Sequence, residues 1–129
     1  MAGGIATVLV VDDEASIRLL CRVNLELEGY RVLEAASLDE ARAVLRGEPV
    51  EVVLLDIHVG LEDGRVLLAE IREEHPEIGV AFLTGTAQID PAERLGADGL
   101  IPKPFLLEEL VSTVRNLAAR PSGIDSSLR

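Results

Sequence analysis

Short apolar runs, mostly of β-branched residues, alternate along this chain with stretches of helical spacing, and that alternation restricts the fold more than any other feature. It is the signature of βα units wound around a parallel sheet. Val8 to Val11 and Val52 to Leu55 are continuously apolar, as strands buried on both faces must be. Further strands are expected over residues 30–35, 79–83 and 99–101. The first helix is expected over about 15–28, with Ile17, Leu20, Cys21, Asn24 and Leu27 or Glu28 on one face and Gly29 as its stop. Ser37 and Glu40 match a capping box opening a second helix to about Arg46. Val66, Leu67, Ala69, Glu70 and Ile71 carry a third towards His75. Asp90 and Pro91 read as the start of a fourth, but Gly96 follows so soon that this helix must be very short. A last helix, from Leu106 to about Ala118, would turn Leu107, Leu110, Val111 and Val114 inward. Glycines 60 and 64 bracket a loop, and residues 120–129 read as a flexible tail or the start of a linker.

The 129 residues suit one domain that buries roughly two thirds of its unfolded surface. Hydrophobic residues make up 48% of the chain and aromatic residues 2%, so the core must be aliphatic. Acids outnumber bases 23 to 12, and the net charge of −11 opposes nucleic-acid backbones and anionic membranes. No direct nucleic-acid binding and no membrane association are expected. The single cysteine, Cys21, excludes an internal disulfide, reads as a small apolar helix residue and fits a cytoplasmic location. No apolar run approaches the roughly 20 residues that span a bilayer.

The strands end in chemistry. TVLVV runs into Asp12, Asp13 and Glu14; VVLL runs into Asp56; the strand near 83 ends in Thr84 and Gly85; and the fifth leads to Pro102, Lys103 and Pro104. In an open parallel sheet these carboxyl ends share one rim, where ligands bind at the reversal of strand order. Asp12 and Asp13 alone could equally be a helix cap. Three carboxylates with a hydroxyl and an ammonium instead suit a hard octahedral cation beside phosphoryl oxygens, and hence phosphoryl transfer to a carboxylate.

VVDDE, LLD, the Asp63-Gly64 pair, Thr84-Gly85, GAD at 96–98 and KPF at 103–105 stand in the order found in bacterial response-regulator receiver domains, which the chain resembles over about Ile5 to Ala119. The resemblance implies a flavodoxin-like sandwich with a five-stranded sheet in order 2-1-3-4-5. It implies Asp56 as phosphoacceptor, and Asp13 and Asp56 as direct ligands of Mg²⁺, for which Mn²⁺ can substitute. The backbone carbonyl of His58 would be a further ligand, and Asp12 would help through water. Thr84 and Lys103 would hold the phosphoryl oxygens, and Pro104 would follow a cis peptide bond. Donors would be a histidine kinase, a histidine phosphotransfer protein or a small phosphodonor such as acetyl phosphate, and the downstream partner is unspecified. The domain would catalyse only its own phosphorylation and dephosphorylation, as a monomer or a weak phosphorylation-dependent dimer.

The sequence departs from the family at Gly60, where Pro is usual, at Glu62, where Met is common, and at Leu100, the switch position usually held by an aromatic residue. The interval from Thr84 to Lys103 is short by nearly one helical turn. The rival readings are a degenerate receiver that binds partners without phosphorylation, and a phosphatase with an aspartyl nucleophile. The intact acid trio opposes the first, and the lack of a general acid and lid opposes the second. The His58 side chain is expected to face solvent at the pocket mouth, and His75 to be structural.

Overall fold

The computed structural model describes residues 5–85 and 96–119. Its strands are β1 (Thr7–Val11), β2 (Arg31–Ala35), β3 (Val52–Asp56), β4 (His58–Val59), β5 (Glu62–Asp63), β6 (Gly79–Thr84) and β7 (Gly99–Pro102). Four helices lie among the described residues: α1 (Ala15–Leu27), α2 (Leu38–Gly47), α3 (Gly64–Glu74) and α4 (Leu107–Ala118). The main sheet is parallel in the order β2-β1-β3-β6-β7, which is the expected five-stranded order once the small β4-β5 ribbon is set aside.

Strand period explains the continuous apolar runs. Leu9, Val11, Val53, Leu55, Val80 and Phe82 point to one face and pack with Leu38 and Ala41 of α2 and Leu67, Leu68 and Ile71 of α3. Val8, Val10, Val52, Leu54, Ala81 and Leu83 point to the other and meet Cys21 and Leu25 of α1 and Leu110, Val114 and Leu117 of α4. Both faces of the central strands are therefore dry, and no residue of β1, β3 or β6 can be polar without a partner.

Helix ends follow local chemistry. The Ser37 hydroxyl accepts from the Glu40 amide at 3.1 Å, the first half of the capping box. The returning Glu40 carboxylate accepts from Ala36 N–H at 2.7 Å, one residue before the cap. Asp63 caps α3 by accepting from Arg65 N–H. Arg72 of α3 donates to the carbonyls of Gly96 and Ile78, each at 2.7 Å, and so fixes the chain as it enters β7.

Three expectations need correction. The buried residues of α1 are Cys21 and Leu25, while Leu20 and Leu27 are exposed; six large aliphatic residues stand nearly all round this helix, so periodicity alone left its inner face ambiguous. Asn24 donates to the Leu20 carbonyl at 2.8 Å. In α4, Leu107 is exposed in the first turn and Leu117 is buried beside Gly79, because it continues the stripe of Leu110 and Val114 at helical spacing. The loop bracketed by Gly60 and Gly64 contains the antiparallel ribbon β4-β5, whose two-residue strands are too short to show a period. The expected short fourth helix and the tail after Ala119 lie outside the described residues.

Gly64 begins α3 where a Cβ would collide with the backbone oxygen of Asp56. Its own N–H donates to Ile57 O at 2.6 Å, drawing the helix start onto the end of β3. Alanine normally favours a helix over glycine by about 1 kcal/mol. Here Gly64→Ala is expected to lower the unfolding free energy by about 1–3 kcal/mol through overpacking, an inverted sign that urea denaturation will read directly.

Candidate functional site

The rim at the carboxyl ends of β1, β3, β6 and β7 collects the expected groups. Asp12 follows β1 immediately, and its amide continues the sheet by donating to Ala35 O at 3.0 Å. Its carboxylate is fully buried, with Oδ1 accepting from Glu14 N–H at 2.9 Å. Asp56 closes β3, is 7% exposed, and accepts from His58 N–H at 3.0 Å through Oδ1. Because β1 and β3 are neighbours at the reversal of strand order, these two acids are side by side.

Lys103 joins them. Its Nζ lies 2.7 Å from Asp12 Oδ2 and 3.0 Å from Asp56 Oδ2, with Glu14 Oε1 at 4.0 Å. The peptide bond from Lys103 to Pro104 is cis, as expected at Pro104. Lys103 N–H donates to Thr84 O at 2.6 Å, so the buried Thr84 reaches the cluster through its own backbone. Asp13 is exposed at the edge of the group, and one carboxylate oxygen each from Asp12, Asp13 and Asp56 lies within 4.8 Å of the others.

Charge is unbalanced here. Burial raises the pKa of Asp12 above the usual carboxylate value, and hydrogen bonds from Lys103 and the Glu14 amide offset only part of that effect. Burial also works against the Lys103 ammonium, yet the bonds to Asp12 and Asp56 outweigh it and its pKa is raised. With Asp13 and Glu14 added, four acids face one ammonium. All the offered atoms are oxygens, the donor set of a hard divalent cation.

The remaining site expectations divide. The His58 side chain is exposed, and its backbone sits beside Asp56 at the start of β4. Leu100 is half-buried, in register with Phe82 on β6 and packed on the side of α2 and α3. Sequence reasoning missed Arg18, which donates to the Asp12 carbonyl at 2.7 Å, and Glu62, whose carboxylate accepts from Leu38 N–H at the start of α2. No local signal marks either contact, since each joins separate elements.

Removing the ammonium would leave two desolvated carboxylates facing each other. Lys103→Met is expected to lower the unfolding free energy at neutral pH, without divalent cations, by about 3 kcal/mol. Adding Asp12→Asn should recover part of that loss; chemical denaturation of the single and double variants checks both statements.

Residues 8–115 match the profile of the response regulator receiver domain. The chain is 43% identical over 121 residues to the transcriptional regulatory protein AruR of Pseudomonas aeruginosa, covering 88% of this chain and 49% of that protein. It is 40% identical over 119 residues to the sensor kinase CckA of Brucella abortus, covering 88% of this chain and 13% of the kinase. The chain thus spans half or less of these relatives. Among solved structures, the receiver domain of NtrX from Brucella abortus superposes with a TM-score of 0.82 at 34% identity, covering 88% of this chain and 99% of that one. The response regulator TrrA of Thermotoga maritima in complex with Mg²⁺-BeF gives 0.81 at 30% identity, covering 88% and 99%. With the sheet order, the acidic rim and the family profile in agreement, the chain belongs to the response regulator receiver domain family.

Proposed function

We propose that this chain is the phosphoacceptor of a two-component phosphorelay, with Asp56 receiving the phosphoryl group. The observation that carries this reading is the convergence of Asp12, Asp13 and Asp56 with the Lys103 ammonium at one rim. A carboxylate oxygen of Asp56 attacks phosphorus, an O–P bond forms, and the N–P bond of a phosphohistidine breaks. The electron pair leaves on the imidazole nitrogen, which takes up a proton.

Asp12, Asp13 and Asp56, with the His58 backbone carbonyl, would hold Mg²⁺, which when bound supplies positive charge to the transferring phosphoryl oxygens. Lys103 is placed to exchange its contact with Asp56 for one to a phosphoryl oxygen, keeping that charge neutralised. Thr84 is the hydroxyl candidate for another oxygen, and Leu100 and Pro104 flank the segments that would respond. The TrrA structure, in complex with Mg²⁺-BeF, supports Mg²⁺ binding by this reading. The likeness to AruR and CckA supports a histidine kinase or histidine phosphotransfer protein as donor and an output protein or domain beyond this one.

Residues 1–119 form the receiver unit in this reading, and residues 120–129 a tail or linker. It acts on no substrate other than its own phosphoryl group. Among the described residues no helix is long and apolar enough to cross a membrane, and the reading places the domain in the cytoplasm.

Incubation with acetyl phosphate and Mg²⁺ is expected to give one phosphoryl adduct by intact-mass spectrometry. The adduct should be absent in Asp56→Asn and without Mg²⁺; an adduct that persists in the variant would move the acceptor elsewhere. Mg²⁺ alone should raise the melting temperature of the wild type by mass action, and Asp13→Asn should remove most of that rise in a thermal scan.

A further inference from the structure

We infer that Arg18 is a positioning residue for the cation site, fixing the peptide plane between Asp12 and Asp13 and so aiming the Asp13 carboxylate. The inference rests on the proposed Mg²⁺ site and adds a residue outside its acidic trio. Sheet pairing ends at Val11 on β1, and Asp12 is held beyond it by contacts on either side of its backbone. Its N–H donates to Ala35 O at 3.0 Å, and its carbonyl accepts from the Arg18 guanidinium at 2.7 Å. A trans peptide is planar, so anchoring that carbonyl also sets the amide of Asp13 and the origin of its side chain.

Asp13 needs this help. Asp12 is held by Lys103 and the Glu14 amide and Asp56 by Lys103 and the His58 amide, whereas no side-chain hydrogen bond holds Asp13 among the described residues. The direction of the exposed carboxylate is left to its backbone. Arg18 in turn cannot swing freely. Its Nε donates to Glu34 Oε1 at 2.9 Å, and Glu34 on β2 also accepts from Arg22 at 2.6 Å. The guanidinium is thus a rigid fork with one prong on β2 and the other on the Asp12 carbonyl, and a planar fork keeps both directions where a single ammonium keeps one. The start of α1 and the second strand thereby hold the turn between β1 and α1 from outside the acidic trio.

Electrostatics and positioning predict opposite signs. Arg18 is a cation near a site for a cation, so its charge alone opposes Mg²⁺, and its removal should tighten binding. If it acts by aiming Asp13, removal should weaken binding, and partners of this outer kind contribute about tenfold or more to metal affinity. The test is calorimetric titration of Mg²⁺ into the wild type, Arg18→Met and Arg18→Lys, with a thermal melt of each. About tenfold weaker binding by Arg18→Met, with an intermediate loss in Arg18→Lys, is the expected result. Unchanged or tighter binding by Arg18→Met, even with a lowered melting temperature, would overturn the inference, because a purely structural role lowers stability and leaves affinity alone. If Arg18→Met does not fold, Arg18→Lys decides: it keeps the charge and the stem, so weaker binding supports positioning and wild-type affinity refutes it. Absence of Mg²⁺ binding by the wild type would overturn the proposed function along with this inference, which separates the two failures.

Discussion

The contact on which the rim depends is the Lys103 ammonium between the carboxylates of Asp12 and Asp56. Two acids at the ends of adjacent buried strands repel, and burial makes the repulsion worse by raising the cost of each charge. The chain meets that cost with a cation delivered from the far end of the sequence, 91 residues from Asp12 and 47 from Asp56. β7 must therefore pair with β6, and the turn after it must face the rim, before the ends of β1 and β3 are electrostatically tolerable. One ammonium among four acids leaves a surplus of negative charge on oxygen ligands, which suits a hard divalent cation.

The scaffold gives this rim its precision. Aliphatic layers on both sides of the sheet lock β1, β3 and β6 in register, so Asp12 and Asp56 inherit the rigidity of the core. Gly64 brings the start of α3 against the Asp56 backbone, closer than any side chain would allow. Arg18 and Glu34 perform the corresponding task on the opposite side, through the Asp12 carbonyl. Asp12 and Asp56 are held by backbone, by β2 and by two helices, while Asp13 and Glu14 remain open to solvent.

Two departures from the usual receiver pattern acquire a setting in the fold. Leu100 lies in register with Phe82, so an aromatic ring is present on the neighbouring strand, fully buried in the aliphatic layer. Glu62, in place of the common Met, accepts from the first amide of α2 and ties the ribbon after Asp56 to that helix. The loop after Asp56 is tied to α2 through this contact.

The sequence by itself determined the βα alternation, the strands buried on both faces and the acids that end them, because period and burial are local properties of a short run. It also determined the family, through the order of its motifs. Tertiary structure alone decided which face of α1 is buried, since Leu19, Leu20, Val23, Leu25 and Leu27 offer several apolar stripes and only packing against the sheet selects Leu25. It decided the β4-β5 ribbon, whose two-residue strands have no readable period. It also decided the contacts that set the site's geometry: Lys103 reaches Asp12 and Asp56 only once the sheet has assembled, while Arg18 to the Asp12 carbonyl and Gly64 to the Asp56 backbone depend on how the turn after each strand folds back, which no run of residues marks.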